Sequence, residues 1–104
     1  MFEEKPYSQA CENNKSFILD VLKTEFANVN RVLEIGSGTG QHAVHFASNL
    51  PHITWQTADQ AEYHQGIHLW IEECQCDNLL YPIKLCIPHD NWPEQNYDGI
   101  FTAN

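Results

Sequence analysis

Positive charge is scarce in this chain: 5 Lys and Arg stand against 14 Asp and Glu, a formal charge of -9 over 104 residues. Nucleic acids and anionic bilayers are held by clustered Lys and Arg that replace their counterions, so the balance argues against both and favours a neutral or cationic small molecule. Long apolar runs are also missing. None nears the roughly 20 residues of a membrane span, and the opening MFEEKPYS lacks the basic start and apolar core of a signal peptide. A soluble, cytoplasmic protein is expected. Cys11, Cys74, Cys76 and Cys86 form no CxxC and no spacing of a zinc knuckle or disulfide framework. They read as free thiols in a reducing compartment, with no metal site.

What is present is a globular composition, 42% hydrophobic and 12% aromatic, in a length that allows one domain, residues 1–104, with a modest core. From Ser8 to Phe26 the apolar residues Phe17, Ile18, Val21, Leu22 and Phe26 form a helical stripe. Arg31 to Ile35 is a short aliphatic run ended by glycine, the pattern of a buried parallel strand. Helical spacing returns from Gln41 to Leu50 and stops at Pro51. A strand is expected over Ile53 to Ala58, ending at Asp59, then a helix over Glu62 to Cys76. A third strand is expected over Ile83 to Ile87, after Pro82, and a fourth in YDGIFTAN, after the loop PHDNWPEQN. Strands alternating with helices predict an α/β, Rossmann-like parallel sheet.

The stretch that carries chemistry is VLEIGSGTGQH, Val32 to His42. In a doubly wound sheet the loop after the first strand lies closest to the ligand, and Gly36 and Gly38, without a Cβ, let ligand atoms approach the main chain. The dinucleotide fingerprint GxGxxG/A needs a small third residue where this chain has Gln41, and the GK[ST] ending of a phosphate loop is absent. A pyrophosphate wants bare N–H groups at a helix start, whereas Glu34 places a carboxylate beneath the loop. A cationic nucleoside without phosphates fits better, and S-adenosylmethionine has both properties.

The same residues resemble motif I of the class I S-adenosylmethionine-dependent methyltransferases. More narrowly, KPYSQACENN, the GQH ending of the loop, WQTADQ, the late NWP and YDGIFTAN together resemble the methyltransferase-like 26 family, over about Lys5 to Asn104. The resemblance implies that Gly36, Ser37, Gly38 and Gly40 line the methionine part of the cofactor while Glu34 holds its ammonium group. Asp59 takes the ribose hydroxyls, or caps the helix that follows. Gln60 and Ile87 flank the adenosine, Tyr7 covers the methionine end, and His42 either contacts the cofactor or merely opens its helix. Asn104 ends the fourth strand beside the reacting groups. The aspartate that usually meets the adenine amino group falls at Cys86; Asp90 takes that place if the PHDNW loop folds back.

The resemblance also implies a partial class I methyltransferase fold, strands in the order 3-2-1-4 with the C-terminal half missing, and so the N-terminal, cofactor-binding part of the domain. Strand four, with Ile100 and Phe101, is then a bare apolar edge open to self-association, and the sheet's second face is exposed. No catalytic residue is assigned. A non-catalytic protein that pairs through this edge is the alternative; a nicotinamide dinucleotide binder is disfavoured by Gln41 and Glu34. His64 and His68, four apart, are expected to face solvent, and Cys74 and Cys76 to pack as thiols.

Overall fold

A computed structural model describes residues 5–86, 90, 93 and 96–103. Helix α1, Gln9–Glu25, begins where the Ser8 hydroxyl accepts the Cys11 N–H at 3.3 Å and so satisfies one of the free amides of the first turn. Strand β1, Arg31–Glu34, leads through the glycine loop into helix α2, Gln41–Asn49. Strand β2, Thr54–Asp59, is followed by a single 3-10 turn, Ala61–Tyr63, and helix α3, His64–Cys74. Strands β3, Leu79–Lys84, and β4, Gly99–Phe101, complete the described elements.

All pairings are parallel and the sheet order is β3-β2-β1-β4, the Rossmann-like 3-2-1-4 arrangement expected from the sequence. Val32, Trp55 and Leu79 are register partners, and their side chains join Phe46, Ala47, Ile67 and Leu22 in the main core. Neighbouring strand residues point the other way. Leu33 and Ala58 therefore form a second cluster with Leu85, against which Ile35, Ile83 and Tyr97 pack. The expectation of an exposed second face is thus corrected in part: Leu33, Ala58 and Leu85 are buried there. Strand four is the sheet edge among the described residues, as expected, but its apolar side chains are not both exposed. Phe101 turns inward onto Phe46 and Trp55, at ring separations of 5.4 and 5.8 Å, whereas Ile100, on the opposite face, is 45% exposed.

Two further expectations are corrected. Strand β3 starts at Leu79 and contains Pro82 instead of following it. It lies at the sheet edge, and Tyr81 and Pro82 together stand opposite the single residue Thr57 in a bulge between the pairs Gln56↔Leu80 and Ala58↔Ile83. A bulge on an edge strand tolerates the missing proline N–H. Side chains take up the displaced carbonyls: the Gln56 amide donates to Tyr81 O at 2.8 Å and the Thr57 hydroxyl to Leu80 O at 2.9 Å. On α1, Phe17 and Val21 are exposed, and the inward face is Leu19 and Leu22 with Ile18 and Phe26. The helix packs against α2 along one flank, which leaves the Phe17 side of its apolar stripe in water.

Candidate functional site

The loop from Gly36 to Gly40 turns back on itself through three glycines with φ of +73°, +60° and +94°. These values lie in the region that side chains strain to enter. A Cβ on Gly38 would meet nothing within 4 Å, so its surface is open, whereas one on Gly40 would lie 3.3 Å from both Ile67 Cα and Trp70 Cβ. Gly40 therefore serves the close approach of α3, and it does not border the cavity described below.

Ser37 stitches the loop to β2. Its N–H donates to Ala58 O at 2.9 Å, its hydroxyl accepts from Ala58 N–H at 3.0 Å and donates to Glu34 Oε1 at 3.0 Å. The Trp55 indole N–H reaches the same Glu34 oxygen at 3.2 Å. Glu34 is only 2% exposed. Burial pushes its carboxyl up to about 7, against the lowering effect of these two hydrogen bonds, and the nearby Asp59 charge adds to the rise. Asp59 accepts the Gly38 N–H at 2.8 Å on one oxygen and the Gln60 N–H at 2.7 Å on the other. It is thus a loop anchor; the residue at the cap position of the following turn is the exposed Gln60.

Glu34, Gly36, Ser37, Gly38 and His42 border one cavity of about 250 Å³, whose opposite wall is the start of α1 with Ser8, Cys11 and Asn14. A second cavity of about 480 Å³ lies across the Gly38–Thr39 turn, against Pro6, Tyr63, Gly66 and Leu69. His42 is buried and stacked on Phe46 at 5.2 Å. Its Nε2–H donates to Asn14 Oδ1 at 2.8 Å, and burial holds its pKa below the usual histidine value. Among the described residues no Lys or Arg borders the Glu34 cavity. A buried carboxyl without basic neighbours suits a cation and repels a phosphate.

Of the residues singled out in the sequence, Glu34, Gly36, Ser37, Gly38 and His42 come together around this cavity, with Asp59 bound to its rim. Tyr7 does not join them: it is 61% exposed and its hydroxyl donates to Gln9 Oε1. Ile87 and Asn104 lie outside the described residues, as does Trp92. Asp90 accepts the Cys86 N–H at 2.7 Å and donates its own N–H to Cys86 O. The solvent-facing expectation for the histidine pair is corrected in part, since both are half-buried: His64 Nε2 bonds Asp59 O at 2.9 Å and the His68 ring lies tilted against Tyr81 at 4.6 Å. Cys74 and Cys76 are partly buried thiols joined by a Cys76 N–H to Cys74 Sγ bond.

Sequence reasoning overlooked Gln41, which counted only against a dinucleotide. It is buried, its Oε1 accepts the Ser8 N–H and the Thr39 hydroxyl, and its Nε2 donates to Glu12 at 2.7 Å and Ser8 O at 3.3 Å. A glutamine at the first helical position, where an apolar or small residue is usual in the fingerprint, was the available signal.

A family model described as a protein of unknown function (DUF938) matches residues 5–104. The chain belongs to that family. Among solved structures, it is similar to the S-adenosylmethionine-dependent methyltransferase SibL, with 21% identity and a TM-score of 0.80 over 90% of this chain and 27% of the other. It is also similar to a coclaurine N-methyltransferase bound to N-methylheliamine and S-adenosylhomocysteine, with 18% identity and a TM-score of 0.69 over 97% of this chain and 30% of that one. A third is PKMT2 from Rickettsia typhi in complex with S-adenosylhomocysteine, with 22% identity and a TM-score of 0.58 over 70% of this chain and 14% of that one. At these identities the likeness establishes the fold. The DUF938 chain spans less than a third of the length of each of these structures. No helix among its described residues is long and apolar enough to cross a membrane.

Proposed function

We propose that this DUF938 chain binds S-adenosylmethionine in the Glu34 cavity and serves methyl transfer to an acceptor it does not itself define. The observation that carries the reading is the buried Glu34 carboxyl beneath an open glycine loop, with no Lys or Arg among the described residues that line the cavity. An ionised Glu34 would pair with the cofactor's ammonium group, and the open face of Gly38 would admit its aliphatic chain. Asp59 uses one lone pair of each oxygen on the loop amides, and a carboxylate offers about four acceptor sites, so ribose hydroxyls can share it. Gln60 lies exposed beside that position. Contact from Tyr7 requires its segment to rotate. Ile87 and Asn104 keep the roles that the resemblance to the methyltransferase-like 26 family gives them, against adenine and at the reacting end.

When bound, the cofactor supplies the electrophilic methyl group. This chain's own contribution is to bind and orient, and no group here is assigned as acid or base. Isothermal titration with S-adenosylhomocysteine and, separately, NAD tests the reading: heat with the first alone is expected, and no heat with it at millimolar concentration overturns the cofactor assignment. The exposed Ile100 on β4, an edge strand among the described residues, favours a second reading, a protein that joins another chain through this edge. Concentration-dependent dimerisation without affinity for S-adenosylhomocysteine would select it.

A further inference from the structure

Glu34, Ser37 and His42 border the cavity yet are 2%, 6% and 5% exposed. A volume of about 250 Å³ is below the roughly 300–1,000 Å³ that ordinary ligand sites occupy. An outward shift of one wall would enlarge it to the size of a nucleoside cofactor. The loop wall is fastened to β2 through Ser37 and Asp59. The α1 wall is held differently, because no described residue from Lys5 to Ile18 is buried and the first that is buried is Leu19. Polar contacts and the Pro6 ring lying against Gly66 tie it down: the bonds of Gln41 to Ser8 and Glu12, His42 Nε2–H to Asn14 Oδ1 at 2.8 Å, the Trp70 indole N–H to Pro6 O at 2.7 Å, and Lys5 on Glu73 at 2.7 Å and over the Trp70 ring at 3.7 Å. Such contacts are each worth about 0.5–1.5 kcal/mol net, and about 1.5–3 kcal/mol where one partner is charged, so a segment held this way opens locally well before the buried core does.

We propose that residues 5–14 are a hinged wall of the Glu34 cavity, latched by Gln41, that swings out to admit the cofactor and closes on it. The inference rests on the cofactor reading above and makes Gln41 a positioning residue, since it acts through Ser8 and Glu12 on the wall. The hinge falls before Leu19, where burial begins. Opening also widens the neighbouring cavity, since both take part of their walls from residues 6–14.

A covalent lock tests the movement. A Cβ on Gly66 would lie 3.6 Å from Pro6 Cβ, within the range of about 3.5–4.5 Å that a disulfide spans. In the full chain carrying Pro6→Cys with Gly66→Cys, oxidation is expected to slow association of S-adenosylhomocysteine at least about tenfold and reduction to restore it, a loss of about 1.4 kcal/mol in the opening step. Gln41→Ala should speed dissociation about tenfold and raise amide hydrogen exchange in residues 8–14 by a similar factor. Glu12→Gln combined with Gln41→Glu reverses donor and acceptor within the pair and should recover most of both. Unchanged association on locking, or unchanged dissociation and exchange in Gln41→Ala, overturns the hinge. If the native chain shows no affinity for S-adenosylhomocysteine, the cofactor reading falls. The hinge is then judged by exchange alone: it stands if residues 8–14 exchange faster than residues 19–25 and respond to Gln41→Ala, and falls if they do not.

Discussion

At Glu34 the demands of stability and of binding oppose each other. The carboxyl is buried, and its pKa of about 7 means that the folded chain holds a proton which the unfolded chain releases near the ordinary value of about 4.3. Between those values the native state binds more protons, so stability falls as pH rises towards 7 and stays at the lower level above it. Affinity for a cationic ligand runs the other way, because only the ionised carboxyl attracts it: titrations with S-adenosylhomocysteine at pH 6 and 8 should show tighter binding at pH 8. Glu34→Gln is expected to raise unfolding free energy at pH 8 by about 1–3 kcal/mol, seen in urea denaturation, while weakening that ligand at least tenfold. A variant that loses both stability and affinity would contradict this account. The loop glycines differ in kind. Gly40→Ala adds contact at 3.3 Å with the Ile67 backbone to the strain of φ +94°, whereas Gly38→Ala meets open space and adds backbone strain of about 1 kcal/mol. Thermal melts should rank Gly40→Ala as clearly the more damaging. The sequence marked both glycines equally, since nothing local reveals that α3 comes to rest on one of them.

Among the elements, β3 shows most plainly where local signals mislead. Pro82 reads as a boundary because it interrupts a ladder, yet an edge position and a bulge absorb it. Neither is visible until β2 is alongside. The Gln56 amide, bonded to Thr57 O and Tyr81 O, is the means by which β2 tolerates that bulge. Gln56→Leu should leave these carbonyls without a donor and cost about 1–2 kcal/mol in chemical denaturation; a neutral result would mean that water replaces the amide. Helix α1 gives the complementary case. Its period was legible from Ile18, Leu22 and Phe26, but the side that faces water was not, because periodicity fixes the width of an apolar stripe and the neighbour fixes its orientation. Phe17→Ser, at a position 76% exposed, should shift stability by less than about 0.5 kcal/mol, against about 2–5 kcal/mol for Leu22→Ala.

For the molecule as a whole, β4 pairs with β1 alone among the described residues. An unpaired strand carrying an exposed apolar residue is a template for a further strand, and Ile100 is the residue that presents it. If the edge drives self-association, sedimentation of the native chain will show a concentration-dependent dimer that Ile100→Lys abolishes, with affinity for S-adenosylhomocysteine unaltered because Ile100 points away from the helix-covered face. A dimer that survives this substitution would place the contact elsewhere. The alternation of strands and helices, the glycine loop and the acidic residues at the ends of β1 and β2 were determined by the sequence alone, since each is a pattern of neighbouring residues that elementary sterics and charge make specific. Tertiary structure decided the rest: that Glu34 is buried enough to titrate near neutrality, that Gly40 serves packing and Gly38 an open surface, and that Gln41 fastens the start of α1 across the cavity. Burial, close approach and a bond between residues 33 positions apart are properties of the assembled chain, and no local pattern encodes them.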